Sequence, residues 1–111
     1  MDKKTDDTIK QFILKVADRT PGFVTAYIFG SYANNNQRPD SDIDIALIIN
    51  ELSDSDKFDT QVQLMLLASQ FDSRIEPHPL SNLDLISDNP FAQEILKTGI
   101  EISFKRNSKI Q

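Results

Sequence analysis

Two apolar runs, residues 23–29 and 43–49, are joined by a glycine–serine bend, a polar loop and a pair of aspartates. No other stretch constrains the fold as much. It reads Phe29-Gly30-Ser31-Tyr32-Ala33, a loop from Asn34 to Asp40, then Ser41-Asp42-Ile43-Asp44. Successive side chains of a strand point to opposite faces, so Asp42 and Asp44 project together with Cα atoms ~6.7 Å apart. Two carboxylates held that close repel each other unless a cation sits between them. Hard oxygen donors suit Mg²⁺, which one or two carboxylates hold together with substrate phosphates. Upstream, Gly30 lets the backbone approach a ligand, and Ser31 is placed to cap a helical turn whose free N–H groups face an anion. Past the aspartates, Ile43, Ile45, Leu47 and Ile49 alternate with Ala46 and Ile48, so the strand becomes apolar on both faces, as a central strand does.

The flanking segments read as cover for that strand pair. After a polar stretch, 1–7, expected to be flexible, Ile9, Phe12, Ile13 and Val16 mark an amphipathic helix ending before Pro21-Gly22. A second helix is expected from Asp56 to Phe71, with Phe58, Val62, Met65, Leu66 and Ser69 along one side and Leu64 and Leu67 widening it toward the core. In the next segment, Ser73 to Leu80, Arg74, Glu76 and His78 share a face if the chain is extended. Pro77 and Pro79 remove two ladder donors, which predicts an edge strand or one that leaves the sheet after Glu76. His78 is the sole histidine; beside a proline it reads as a surface residue and carries no assigned role. Asn89 caps a further helix with Pro90 at its first position, Phe91, Ile95 and Leu96 on its apolar side, and Gly99 at its end. Ile100, Ile102 and Phe104 form a closing strand, and 105–111 a tail expected to be flexible.

Residues 1–111 are expected to form a single domain, with no room for a second one. The net charge is −5 and there is no long basic run, only short ones such as the tail's Lys105-Arg106 with Lys109. Nucleic-acid binders display a basic face, so direct binding of nucleic acid is not expected. No apolar run is long enough to span a membrane, and the polar N-terminus does not read as a signal peptide. The absence of cysteine fits a cytoplasmic protein.

Gly30-Ser31, ten residues, then Asp42-x-Asp44 resembles the signature of the DNA polymerase beta-type nucleotidyltransferase superfamily. The wording Gly-Ser-Tyr-Ala … Ser-Asp-Ile-Asp-Ile-Ala is most similar to its minimal nucleotidyltransferase (MNT) branch. The resemblance implies a mixed α/β fold of the α+β class, with a central mixed sheet of about four strands flanked by helices. It implies Asp42 and Asp44 as catalytic metal ligands, with Gly30 and Ser31 binding the nucleotide. Superfamily members take a third acidic ligand from the strand after the second helix, which points to Glu76; Asp84 and Glu101 are the alternatives. Where relatives carry a basic residue and a glycine, this chain has Asn34 and Asn35. By the same resemblance the expected reaction is Mg²⁺-dependent transfer of a nucleoside monophosphate, AMP from ATP, to an acceptor hydroxyl. The first expected acceptor is a separate helical HEPN-type toxin, which makes the chain an antitoxin. The alternatives are a small-molecule nucleotidyltransferase completed by a partner chain or homodimer, and a non-catalytic module that neutralises a partner by contact.

Overall fold

The structure, a computed structural model, describes residues 3–34, 38 and 40–102. The elements run α1 (Lys3–Arg19), β1 (Phe23–Phe29), a 3₁₀ turn (Gly30–Tyr32), β2 (Ile43–Ile49), α2 (Asp54–Ala68), β3 (Ile75–Ser81), α3 (Asn82–Leu85), α4 (Pro90–Thr98) and β4 (Ile100–Glu101). The four strands form one mixed sheet in the order β3-β2-β1-β4. β1 pairs antiparallel with both β2 and β4, whereas β2 and β3 are parallel. Parallel neighbours need a crossover, and α2 supplies it. The α+β class with a four-stranded mixed sheet is the expected one.

The two faces of the sheet have unequal cover. On one, Ala26, Ile28, Ile43, Ile45, Leu47 and Ile75 pack against Ile9, Phe12, Ile13 and Val16 of α1 and Leu64, Leu67 and Ala68 of α2. Of these, Phe12, Ile43, Ile45 and Leu47 are wholly inaccessible. On the other, a smaller cluster of Ala46, Ile48, Leu80 and Ile95 is bordered by Tyr27, Phe29 and Leu85. Even positions of β2 and β3 point to this second face, and its polar end carries the site described below.

Several local expectations need revision. α1 starts at Lys3, ahead of the apolar pattern, and Thr5 is buried in its first turns. In α2 the row Phe58, Val62, Met65 and Leu66 is exposed, and the helix buries Leu64, Leu67 and Ala68 instead. The end of α2, Leu64 to Ala68, is apolar on every side and has no unique inward face, so its orientation is set by the sheet it must cover. α4 turns Ala92 and Ile95 inward and leaves Phe91 and Leu96 largely exposed. Its cap is as expected: Asn89 Oδ1 accepts from the N–H groups of Phe91 (2.9 Å) and Ala92 (3.3 Å).

β3 does not leave the sheet after Glu76 but continues to Ser81 on its edge. Alternate N–H groups of an edge strand face away from its neighbour, so Pro77 and Pro79, both in the same parity, fit there without loss of ladder bonds. The short α3 was not anticipated, although Ser81-x-x-Asp84 spells its capping box: Ser81 Oγ accepts from Leu83 N–H and Asp84 Oδ2 from Ser81 N–H. β4 is only two residues long, and Ile102 follows it into the core, donating its N–H to Ala26 O at 2.9 Å. Phe104 and the tail 105–111 lie outside the described residues.

Candidate metal and nucleotide site

Asp44 is the second residue of β2 and stands in register with Phe29 of β1 on one side and Glu76 of β3 on the other. His78, two residues further along β3, stands opposite Ala46, whose methyl side chain leaves room for the ring. The parallel pairing thus brings Asp44, Glu76 and His78 to one end of the less covered face. His78 Nε2 is 3.2 Å from Asp44 Oδ1 and 3.5 Å from Glu76 Oε1. One donor atom from each of the three residues lies within 4.8 Å of the others. The imidazole is held at its sides by aromatic rings: its centroid is 5.1 Å from that of Phe29 and 5.9 Å from that of Phe91, and these two rings meet edge to face at 5.4 Å.

The electrostatics are those of carboxylates competing for charge. A hydrogen bond with Asp44, partial burial and the charges of Asp44 and Asp42 push the Glu76 carboxyl above its usual range, against a smaller opposing pull from His78. Asp42, just ahead of β2, is exposed, and its charge reaches Glu76. A cation between these groups would relieve their repulsion. The donor set, carboxylate oxygens with one imidazole nitrogen, fits a divalent ion.

Gly30 links the two halves of the motif physically. Its φ of +74° lies in the left-handed region, and a Cβ added there would sit 2.6 Å from Asp44 Oδ2. The glycine is therefore required both by backbone conformation and by the nearness of the aspartate. Ser31 does not cap the turn as expected. The turn is 3₁₀, Phe29 occupies its cap position without a side-chain bond, and Ser31 lies inside it. Tyr32, at its end, is buried and accepts a 2.8 Å hydrogen bond from Arg74 Nη1, and Arg74 is in turn clamped by Asp72 at 2.7 Å. The turn bearing Gly30 and Ser31 is thus tied to the entry of the strand bearing Glu76.

The alternatives to Glu76 are engaged elsewhere. Asp84 caps α3 and pairs with Lys57 at 2.8 Å. Glu101 lies on β4, at the far side of β1, and accepts from Thr25 Oγ1 at 2.7 Å. The residue missed in the sequence is His78. The alternation Glu76-x-His78 put it on the Glu76 face, but the parallel register that sets both beside Asp44 could not be read from one strand alone. Asn34 is exposed and Asn35 lies outside the described residues.

A model of the polymerase beta nucleotidyltransferase family matches residues 11–108. The chain belongs to that family. Among solved structures it is similar to a candidate nucleotidyltransferase from Sulfolobus solfataricus, with 23% identity and a TM-score of 0.65 over 93% of this chain and 82% of that one. It is similar to a toxin–antitoxin structure with AMP-PNP (24% identity, TM-score 0.60, 91% of this chain and 74% of that one). A mutant of the toxin–antitoxin MntA–HpeT is likewise similar, with 25% identity and a TM-score of 0.59 over 88% and 73% of the two chains. These neighbours are consistent with a domain of the minimal nucleotidyltransferase type. No curated protein matches the sequence. Among the described residues no helix is long and apolar enough to cross a membrane.

Proposed function

We propose that the chain transfers AMP from ATP to a hydroxyl of a separate helical HEPN-type toxin protein and so acts as its antitoxin. The observation that carries the catalytic part is the meeting of Asp44 with Glu76 across the parallel β2–β3 pair, with Gly30 packed against the same aspartate. Asp42, Asp44 and Glu76 would hold Mg²⁺, which when bound neutralises charge on the phosphate oxygens and lowers the pKa of the incoming hydroxyl. Gly30 and Ser31 present backbone N–H groups to the triphosphate. The acceptor oxygen bonds to the α-phosphorus, the bond from that phosphorus to the α–β bridging oxygen breaks, and pyrophosphate leaves with its electron pair. Glu76, beside the ion, would take the hydroxyl proton. The choice of ATP and of a toxin acceptor is supported by the similar toxin–antitoxin structure that contains AMP-PNP.

The test is incubation of the chain with labelled ATP, Mg²⁺ and the product of its neighbouring gene. Label on that protein, lost with Asp44→Asn while circular dichroism is unchanged, is the expected result. Label transferred at the wild-type rate by Asp44→Asn would rule the mechanism out. Label on a small molecule would support the alternative of an acceptor site completed by a partner chain or a homodimer. A second reading, neutralisation of the partner by contact alone, is favoured by the exposed α2 row, where Phe58 keeps 74% and Leu66 60% of its surface accessible. An apolar strip of that kind is uncommon without a partner. A stable complex without label would support it.

A further inference from the structure

We propose that His78 is itself a ligand of the divalent ion, so that the site takes Mn²⁺ or Co²⁺ more readily, relative to Mg²⁺, than an all-carboxylate site would. The inference rests on the reading that Asp44 and Glu76 hold a cation, and concerns what completes that ion's donor set. The same ring nitrogen, Nε2, faces both carboxylates, at 3.2 Å and 3.5 Å. Donors about 2.0–2.2 Å from a common ion stand roughly 3.0–3.5 Å from one another, which is the spacing of His78 Nε2 from each of the two carboxylates. A histidine that only oriented Asp44 would need to reach that one carboxylate; His78 reaches the gap between two.

The ring is also prevented from turning away. Phe29 and Phe91 pack on it at tilted angles of 61° and 56°, and β3 fixes its backbone in register with Ala46. Preorganisation of this kind lowers the entropy cost of coordination. Imidazole suits later first-row ions, whereas Mg²⁺ keeps an oxygen shell of carboxylates, phosphates and water. Adding one nitrogen to an all-oxygen site therefore shifts selectivity toward Mn²⁺ and Co²⁺ along the affinity order of divalent metals.

Affinity alone does not separate a ligand from an orienting neighbour, because loss of an outer partner also weakens metal binding by about 10–100-fold. A spectroscopic readout does. The chain has one histidine, so in tag-free protein any imidazole signal belongs to residue 78. The experiment is pulsed electron paramagnetic resonance of bound Mn²⁺ on wild-type protein, unlabelled and with ¹⁵N-histidine, on His78→Gln and on Asp44→Asn. It is paired with Mn²⁺ and Mg²⁺ titrations. Directly bound imidazole gives a ¹⁴N coupling that converts to the ¹⁵N pattern on labelling and vanishes in His78→Gln. The same variant is expected to weaken Mn²⁺ binding by roughly tenfold or more and Mg²⁺ binding by less. Mn²⁺ that binds in an Asp44-dependent way with no imidazole coupling overturns the role of His78 and leaves the carboxylate site standing. Mn²⁺ binding that is absent, or indifferent to Asp44→Asn, overturns both. The labelled wild type decides the question even if His78→Gln folds poorly.

Discussion

At Gly30 two demands coincide, a left-handed φ and a carboxylate where a Cβ would lie. Gly30→Ala is expected to cost about 1–2 kcal/mol from backbone conformation alone. It should also displace Asp44, so urea unfolding and metal titration should both register the change. Asp44→Asn is expected to behave differently. It removes a charge that raises the proton affinity of Glu76, so the metal-free protein should be at least as stable as wild type in urea while binding of divalent ions is lost. A large loss of stability in that variant would mean that Asp44 serves the fold. At this scale the tie between Gly30 and Asp44 was legible from spacing, whereas Asp42, exposed ahead of β2, stands outside the cluster of Asp44, Glu76 and His78. The partner of Asp44 was less legible: Glu76 was reached through resemblance, and His78 was passed over because its neighbours come from two other strands and from α4.

Among elements, α2 shows where periodicity stops being informative. Its residues are apolar on more than one side, and only the sheet decides that Leu64, Leu67 and Ala68 face inward. Leu64→Ala or Leu67→Ala should therefore cost about 2–5 kcal/mol. Phe58→Ser and Leu66→Ser should stay within about 0.5 kcal/mol, as exposed substitutions do. Chemical denaturation of the four variants checks this, and the reverse order would restore the orientation expected from sequence. β3 was more legible, because proline at alternate positions excludes a central strand, although its length beyond Glu76 was not. The turn before it makes a separate, pH-dependent contribution. The hydrogen bond from Arg74, with its charge, holds the Asp72 carboxyl below its ordinary value of 3.8. A depressed folded pKa stabilises above the unfolded value, and that contribution disappears as pH falls through the folded one. Asp72→Asn is thus expected to lower stability by about 1–2 kcal/mol at pH 7. The gap from wild type should close as pH falls through the folded pKa of Asp72; a gap that stays constant down the whole acid limb would assign the effect to something other than this ionisation.

For the molecule as a whole, the fold class followed from the resemblance, and the mixed sheet bears it out. The strand order did not follow: only the structure places β3 beside β2, and that parallel pairing is what assembles the site from residues more than thirty positions apart. A net charge of −5 adds to the strain of clustered carboxylates and makes a divalent ion the natural counterweight. Binding to the folded state alone stabilises by an amount set by the ratio of ligand concentration to Kd, about 2.7 kcal/mol at a hundredfold excess over Kd. The most direct measurement is calorimetric titration of wild type and Asp44→Asn with a non-hydrolysable ATP analogue, with and without divalent ion. Saturable binding of the analogue to wild type only when the ion is present, and none to Asp44→Asn, is the result expected. Equal binding by both proteins, or binding indifferent to the ion, would contradict the assignment of these carboxylates to a metal-dependent nucleotide site.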